Sequence, residues 1–205
     1  MVRLVLCSRS LTTTVCLAIV SLATAACSAQ ERGAGSPSVT GGLDRARKSL
    51  VEDFPRINLN SAPGDAAMLR ILVESSQAKR GVEVGTATGY GAILMGLGFE
   101  RTGGELISVD IDPQMVNTAR ENLKKVRLDK TVTVVQGDAL QVLPTLEGEF
   151  DFVYIDAIKS DYLKYFEALE PKLVPGAVIV ADNVIRSARS MTDFLQRIAD
   201  DPKYL

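Results

Sequence analysis

Residues 82–91 read VEVGTATGYG, an apolar strand that breaks into a glycine-rich turn and then enters a helix. Gly85, Gly89 and Gly91 have the spacing GxxxGxG, and glycine lets the backbone turn sharply and lets a ligand approach the main chain. Asp110 ends the next apolar run, where an acid can accept hydrogen bonds from both hydroxyls of a ribose. The stretch therefore predicts a nucleotide-type cofactor site at the carboxyl edge of a parallel sheet.

Two details of this stretch narrow the kind of cofactor. The glycine spacing is not GxGxxG, which argues against a nicotinamide dinucleotide, and an acid at position 110 favours a ribose without a 2′-phosphate. Glu83 lies inside the strand, where a carboxylate is costly unless it is paired. We therefore expect Glu83 to serve the site; a tight turn that holds no ligand is the alternative.

Composition excludes several kinds of chemistry. The 205 residues suggest one domain, and 46% apolar with 23% charged residues is ordinary for a globular protein. The net charge of −2, with no basic block, argues against nucleic acid as the main partner. The absence of His removes His-based acid–base catalysis and His-ligated zinc. Since Cys7, Cys16 and Cys27 all lie near the N-terminus, the rest of the chain has no disulfide and no catalytic thiol.

The N-terminal segment, residues 1–26, has the pattern of an export signal. Arg3 and Arg9 precede an uncharged run of apolar and small residues that is short for a membrane span. A buried helix or a retained membrane anchor is the alternative. We expect an exported protein, or a cytoplasmic one if the start site is mis-assigned.

Residues 24–28, TAACS, resemble a bacterial lipoprotein processing site, in which Cys27 becomes the lipidated first residue and anchors the protein to a membrane. Thr24 departs from the Leu-type residue usual at that position. Cleavage after Ala25 or Ala29 by ordinary signal peptidase is the alternative. Residues 27–42 are small, polar and Gly-rich, which is typical of a flexible tether.

The remainder, residues 43–205, alternates apolar strands with amphipathic helices. This order predicts an α/β, Rossmann-like fold: a central parallel sheet with right-handed crossovers and helices on both faces. Asp112 followed by Pro113 is a helix N-cap signal. The predicted strands are 80–85, 105–110, 131–136, 150–156 and 177–181, and the predicted helices are 43–53, 64–78, 90–99, 113–126, 138–146, 161–172 and 187–200.

Polar residues follow the last two predicted strands. Asp156 ends one strand, Asp182 and Asn183 follow the other, and Lys159 comes shortly after Asp156. Two carboxylates and an amide oxygen suit a hard cation with open positions, Mg²⁺ first, with Ca²⁺ or Mn²⁺ as alternatives. Such a cation acidifies a bound hydroxyl, and Lys159 could accept its proton. Alternatively, each acid only caps the following helix.

These motifs resemble one known family. VEVGTATGYG, ISVDIDPQM, VVQGDA, FDFVYIDAIKSDYLKYFE and VIVADNVI are similar to motifs of the cation-dependent, S-adenosylmethionine-dependent O-methyltransferases, the group of catechol and caffeoyl-CoA O-methyltransferases. The similarity runs from about residue 60 to 194. It implies S-adenosylmethionine and a divalent cation as cofactors, a small catechol-like or vicinal-diol acceptor, and a possible homodimer.

The resemblance also implies a role for each matching residue. Lys159 would be the base, with Asp156 beside it as a second catalytic residue, and residues 63–65 would close over the cofactor. The implied cofactor-binding residues are Glu83, Gly85, Thr86, Gly89, Gly91, Asp110, Asp138, Ala139 and Asp156, and the implied metal ligands are Asp156, Asp182 and Asn183.

Three departures from the family pattern keep other functions open. Ile158 stands where plant-type members carry a second Asp, and Gly91 replaces a common Ser. Family members also continue past the position of Leu205 with two more strands, so we expect a C-terminally incomplete domain whose last parallel strand has an open edge. The alternatives are a lipid-tethered module without catalysis and a methyltransferase that acts on a hydroxylated tRNA base.

Overall fold

A computed structural model describes residues 3–6 and 40–204 of the protein. Six parallel strands form one sheet in the order β1-β6-β5-β2-β3-β4. The strands are β1 (Arg3–Leu6), β2 (Arg80–Val84), β3 (Glu105–Asp110), β4 (Val132–Gln136), β5 (Phe150–Ile155) and β6 (Leu173–Ala181). The helices are α1 (Thr40–Glu52), α2 (Pro63–Ser76), α3 (Tyr90–Thr102), α4 (Pro113–Lys125), α5 (Ala139–Val142), α6 (Tyr162–Leu169) and α7 (Thr192–Ala199).

The strand order creates a crevice next to β2. From β2 the chain goes to β3 and β4 on one side, and then returns to the other side of β2 for β5 and β6. The connections that leave β2 and β5 therefore diverge at the carboxyl ends of two neighbouring strands. In open α/β sheets this switch point is where ligands bind.

Helices cover both faces of the sheet, and each face has its own apolar core. Strand β5 contributes to both cores, because consecutive side chains of a strand point to opposite faces of the sheet. Phe152 packs with α2, α3 and α4 in one cluster, whereas Val153 packs with α6 and α7 in the other. Both residues are buried. The apolar runs of the strands are thus explained by burial on two sides, as the sequence predicted.

The five strands and the helices predicted for residues 43–205 are all present, with four main differences at their ends. The predicted helix 187–200 is α helix only over α7, after a separate 3₁₀ turn, Ala188–Ser190. The predicted helix 138–146 shortens to α5 and continues as a 3₁₀ turn, Leu143–Thr145, which contains Pro144. The predicted helix 161–172 is α helix only over α6, with a 3₁₀ turn at each end. Strand β6 begins at Leu173, before the predicted start at Ala177, because a register shift opposite β5 accommodates Gly176 at φ +91°.

The sheet edge beyond β6 differs from the sequence-based expectation. We expected an open edge there, but Arg3–Leu6 runs parallel to β6 and pairs with residues 178–181. The remaining residues of the predicted export signal, Cys27, and the tether up to residue 39 lie outside the described residues, as does Leu205. Among residues 3–6 and 40–204 no helix is long and apolar enough to cross a bilayer.

Candidate active site

The glycine-rich turn after β2 brings the main chain against the end of β5. Gly85 has φ +101°, and a Cβ at this position would overlap the main-chain oxygen of Asp156. Gly89, at φ +90°, precedes the first residue of α3, and its N–H donates to the oxygen of Thr86 at 3.0 Å. Ala87 also has a positive φ, +46°. The turn is therefore tight, and Gly85 is the residue that no side chain can replace without movement.

Asp110 is held in place at the end of β3 by two main-chain donors. The N–H of Ala87 donates to Oδ2 at 2.8 Å, and the N–H of Asp112 donates to Oδ1 at 2.9 Å. The carboxylate thus joins the glycine turn to the loop after β3. Asp112 in turn caps α4 by accepting from the N–H of Gln114 at 2.7 Å, which confirms the predicted N-cap.

A cavity of about 370 Å³ opens at the carboxyl ends of β2, β3 and β5. Its walls combine main chain, acids and exposed apolar side chains. The lining residues are Asn58, Leu59, Val84, Gly85, Ala87, Val109, Asp110, Ile111, Gly137, Asp138, Ala139, Asp156, Ala157, Ile158, Lys159, Tyr165 and Asn183.

Seven of the predicted site residues line this cavity, and five lie behind its wall. The seven are Gly85, Asp110, Asp138, Ala139, Asp156, Lys159 and Asn183. The five others are Glu83, Thr86, Gly89, Gly91 and Asp182. Residues 63–65, expected to close over the cofactor, instead form the first turn of α2, and it is Asn58 and Leu59 of the preceding segment that line the cavity.

Glu83 lies below the glycine turn in a buried hydrogen-bonded group. Its side chain is 1% exposed, and it accepts a hydrogen bond from Ser108, whose hydroxyl also contacts that of Thr86. Burial raises the pKa of Glu83 to about 8, and the negative charge of Asp156 adds to this, whereas the Ser108 hydrogen bond opposes it. Glu83 of β2 is therefore linked by hydrogen bonds to Ser108 of β3 and, through it, to Thr86 of the turn.

The two remaining glycines of the turn accommodate neighbouring atoms. A Cβ at Gly89 would lie 3.1 Å from Cβ of Ala119, so α4 packs closely on the start of α3. A Cβ at Gly91 would lie 2.9 Å from Oε1 of Glu83. A Ser at position 91 would therefore need the Glu83 carboxyl group to move, which gives a local reason for the glycine.

Asp138 and Ala139 form the cavity wall after β4. Asp138 accepts from the N–H of Leu140 at 2.9 Å and so caps α5, in addition to the cofactor-binding role that the resemblance implies. Because Asp138 also lines the cavity, the two roles are compatible here.

Asp156 and Asp182 meet at the carboxyl ends of β5 and β6. The N–H of Asp182 donates to the oxygen of Ile155 at 3.0 Å, and the two carboxyl groups are within hydrogen-bonding reach of each other. Burial, together with the negative charge of Asp156, raises the pKa of Asp182 to about 6. Asn183 follows in a left-handed conformation, φ +61°, which Asn tolerates.

Lys159 reaches back to Asp156 from the turn that precedes α6. Its Nζ donates to Oδ1 of Asp156 at 2.8 Å and to the hydroxyl of Tyr162 at 2.6 Å. The Tyr162 hydroxyl donates to the main-chain oxygen of Asp182 at 3.2 Å, and its ring packs edge-on against Phe194. Tyr162 therefore packs through its ring and helps to hold the lysine through its hydroxyl.

The donor set fits a hard divalent cation. The carboxyl groups of Asp156 and Asp182 lie close together, beside the amide of Asn183 on the cavity wall, and form an oxygen-rich site whose charge repulsion a cation would relieve. Within the described ranges, no group of three or more His, Cys, Asp or Glu residues could hold a metal ion. The site suggested by the sequence therefore depends on Asn183 as third ligand and leaves open positions.

Sequence reasoning missed Tyr154 and Ser61, which touch the site from behind. The Tyr154 hydroxyl lies 3.2 Å from Oδ2 of Asp156 and 3.1 Å from Oγ of Ser61. Tyr154 precedes Asp156 by two positions in the chain, and that spacing puts both side chains on one side of a strand. This signal could have identified Tyr154, whereas nothing near Ser61 in the sequence indicates a contact with residue 154.

The fold and the site together define a class of protein. A parallel sheet with a crevice at its switch point, a glycine turn backed by an acid at the end of the next strand, and two carboxylates across the cavity are the parts of a Rossmann-like enzyme that binds a nucleoside cofactor.

Comparison with known proteins gives the family. Residues 42–196 match the family model described as O-methyltransferase, and the chain belongs to that family. It is 35% identical over 153 residues to a catechol O-methyltransferase of Niastella koreensis, covering 72% of this chain and 68% of the relative. It is 37% identical over 139 residues to a catechol O-methyltransferase of Mycobacterium tuberculosis, covering 67% and 62%. The chain spans 58–68% of the length of the first curated relatives.

Solved structures agree with this assignment. An O-methyltransferase from Bacillus cereus in complex with SAH has a TM-score of 0.68 at 26% identity, with 81% of both chains covered. TomG from Streptomyces achromogenes, in complex with SAM, has a TM-score of 0.67 at 26% identity, with 78% of both chains covered. These neighbours and the family support an enzyme that uses S-adenosylmethionine (SAM).

Proposed function

We propose that the protein is a SAM-dependent, divalent-cation-dependent O-methyltransferase that acts on a small catechol-like or vicinal-diol acceptor. One observation carries the proposal: Lys159, which contacts Asp156 at 2.8 Å, lines the same cavity as Gly85 and Asp110, and Asp182 and Asn183 follow the strand next to β5. A candidate base and a candidate cation site thus face a candidate nucleoside site across one cavity. The names of the catechol O-methyltransferase relatives support the acceptor class.

The cofactor would lie along the wall formed by β2, β3 and β4. Gly85 admits it close to the main chain, Asp110 is positioned to accept from two ribose hydroxyls, and Asp138 with Ala139 borders the base. Asp156, which follows β5, would lie nearer to the methionine end. When bound, SAM supplies a sulfonium methyl group, and the cation supplies Lewis-acid stabilisation of an acceptor oxygen.

Lys159 and Asp156 would then carry out the proton transfer and the alignment. Nζ of Lys159 would accept the proton of one acceptor hydroxyl, and the cavity walls would direct that oxygen to the methyl group that bound SAM would supply. Asp156, Asp182 and Asn183 would hold the cation. The remaining contribution is alignment of oxygen, carbon and sulfur by the cavity walls.

Location and assembly are further parts of the proposal. The pattern of residues 1–26 and Cys27 supports export and a lipid anchor, with cytoplasmic location if the start site is mis-assigned. A chain processed at Cys27 would lack β1, so β1 would belong to the unprocessed protein. The acidic balance supports a small-molecule acceptor over nucleic acid. A homodimer is proposed from the family resemblance alone.

Methyl transfer from labelled SAM to catechol tests the activity. We expect product formation that needs added Mg²⁺ and is removed by EDTA. Lys159→Met should lower kcat by roughly 10²–10⁴-fold, the usual contribution of a positioned base, while SAM still binds. Asp182→Asn should raise the Mg²⁺ concentration that is needed, whereas Asp200→Asn, at an exposed position on the far end of α7, should not.

The outcomes separate the alternatives. Activity that EDTA leaves unchanged would refute the metal site but keep the methyltransferase. A folded protein that binds SAM but methylates neither catechol nor any other diol tested would favour the non-catalytic module. Transfer to hydroxylated tRNA but not to catechol would favour the nucleic-acid acceptor.

A further inference from the structure

Tyr154 connects the candidate site to a segment that is distant in the chain. It is 2% exposed at the end of β5, and its hydroxyl lies 3.2 Å from Oδ2 of Asp156 and 3.1 Å from Oγ of Ser61. Ser61 is also buried and precedes α2. The Ser61–Tyr154–Asp156 chain is thus a buried hydrogen-bonded connection between a loop, a strand and the cavity wall.

The chemistry of the groups fixes the direction of these hydrogen bonds. An ionised carboxylate only accepts, so the Tyr154 hydroxyl donates to Asp156. Because the proton of the Tyr154 hydroxyl is engaged in that hydrogen bond, the Ser61 hydroxyl donates to the Tyr154 oxygen. The other oxygen of Asp156 accepts from Lys159. Both carboxylate oxygens are therefore held, one by a flexible lysine and one by a ring packed in the core.

Ser61 belongs to a segment that forms part of the cavity wall. Asn58 and Leu59 line the cavity, although Leu59 is largely exposed and has little packing of its own. Two contacts fasten this segment. Thr88 of the glycine turn donates to Oδ1 of Asn60 at 2.8 Å, and Ser61 contacts Tyr154. The second contact continues through Tyr154 to Asp156, which lines the cavity.

We propose that Tyr154 and Ser61 are a positioning pair, which fixes the carboxylate of Asp156 and couples its orientation to the seating of residues 57–61 over the cofactor cavity. The identity of the ligand rests on the proposed function. Neither residue would touch the reacting atoms. A ligand that packs against Asn58 and Leu59 would then also favour one orientation of Asp156. A ligand that fixes Asp156 would equally favour the seated position of residues 57–61.

A double-mutant cycle on the full chain tests the coupling, with SAM titrated by calorimetry. Tyr154→Phe removes one oxygen and keeps the ring, and Ser61→Ala removes the other end of the connection. Outer contacts of this kind are usually worth 10–100-fold, so we expect a SAM Kd about tenfold weaker for Tyr154→Phe and weakened in the same direction for Ser61→Ala. The double variant should be no weaker than the weaker single variant, because both changes break one connection.

Two further measurements make the test independent of stability and of the reaction. Tyr204→Phe is the matched control. Tyr204 lies in the C-terminal 3₁₀ turn, and the substitution removes a phenol oxygen that contacts Glu170. It should keep the SAM affinity of the wild type. Hydrogen exchange of residues 57–61 in the ligand-free protein should be faster in Tyr154→Phe and in Ser61→Ala, but not in the control.

Wild-type SAM affinity in Tyr154→Phe, or losses that multiply in the double variant, would overturn the proposal. If the wild type itself binds no SAM, the proposed function fails, and hydrogen exchange still decides the coupling between residues 57–61 and Tyr154. If Tyr154→Phe does not fold, Ser61→Ala tests the same connection from its loop end: unchanged exchange at residues 57–61 would overturn it.

Discussion

Gly85 is the residue whose replacement should have the largest local effect. Its φ of +101° is unfavourable for any other residue, and a Cβ would overlap the oxygen of Asp156, which is main chain and cannot move aside as a side chain would. We predict that Gly85→Ala lowers the free energy of unfolding by about 3 kcal/mol or more, combining backbone strain of roughly 1–2 kcal/mol with the clash. Urea unfolding measures this, and SAM binding should be lost.

Gly176→Ala is the control for backbone strain alone. Gly176 has a similar φ, +91°, but a Cβ there would meet nothing within 4 Å. Its cost should therefore be only the strain, about 1–2 kcal/mol. Equal losses in the two variants would show that the close approach of Asp156 to the turn contributes nothing.

Glu83 should make the protein less stable as the pH rises. Its pKa is raised from 4.5 to about 8 in the folded state, so between these values the folded protein holds a proton that the unfolded chain has lost. The free energy of unfolding should fall across pH 5–8, by at most roughly 5 kcal/mol at 1.36 kcal/mol per pH unit. Glu83→Gln, which cannot ionise, should flatten this dependence in urea unfolding between pH 6 and 8, above the range in which Asp182, with its pKa of about 6, also loses a proton.

An exposed glutamate provides the comparison for Glu83. Glu147 lies in a surface turn, and Glu147→Gln should keep the wild-type pH dependence. A Glu83→Gln variant whose stability falls with pH as steeply as that of the wild type would show that another group causes the loss.

For the strands and helices, the sequence predicted the features that depend on residues close together in the chain. Strands β5 and β6 have apolar runs that burial on both faces explains, and Asp112 with Pro113 marked the start of α4. The carboxyl ends of parallel strands meet at one edge, so Asp110, Asp156 and Asn183 could be placed together before any distance was known.

What the sequence could not predict depends on contacts between distant segments. Ser61 and Tyr154 are 93 positions apart, and neither residue type indicates the other. Glu83 was expected at the cavity, but it lies below the glycine turn because Ser108 of the neighbouring strand pairs with it there. The pairing of Arg3–Leu6 with β6 was missed because those residues have the pattern of an export signal.

Strand β1 gives a prediction at the level of a whole element. Residues 178–181 of β6 are buried and apolar, and without β1 their outer main-chain groups would form a bare edge. Deleting residues 1–6 should therefore lower the Tm and increase self-association. Differential scanning calorimetry and light scattering on the purified full and shortened chains would show this, and identical profiles would mean that β1 adds nothing to the sheet.

For the whole molecule, the cavity lies where the two halves of the sheet meet. Gly85, Asp110 and Asp138 come from the side of β2, β3 and β4, whereas Asp156 and Asn183 come from the side of β5 and β6. A ligand that contacts both walls can bind only when both halves are folded. Binding should therefore stabilise the complete domain and not one half of it.

This argument yields the last prediction. At a SAM concentration one hundred times Kd, the folded state gains about 2.7 kcal/mol, which corresponds to a Tm increase of roughly 5–10 °C for a domain of this size. The unfolding transition should remain single, because both halves gain together. Asp110→Ala should remove the increase, since its carboxylate holds the turn and, in the proposed function, would accept from the ribose. Asp112→Ala removes only the side-chain cap of α4, so this variant should keep the Tm increase with SAM. An increase of equal size in Asp110→Ala would place the ligand elsewhere, and a transition that splits when SAM is added would show that one half of the sheet binds it alone.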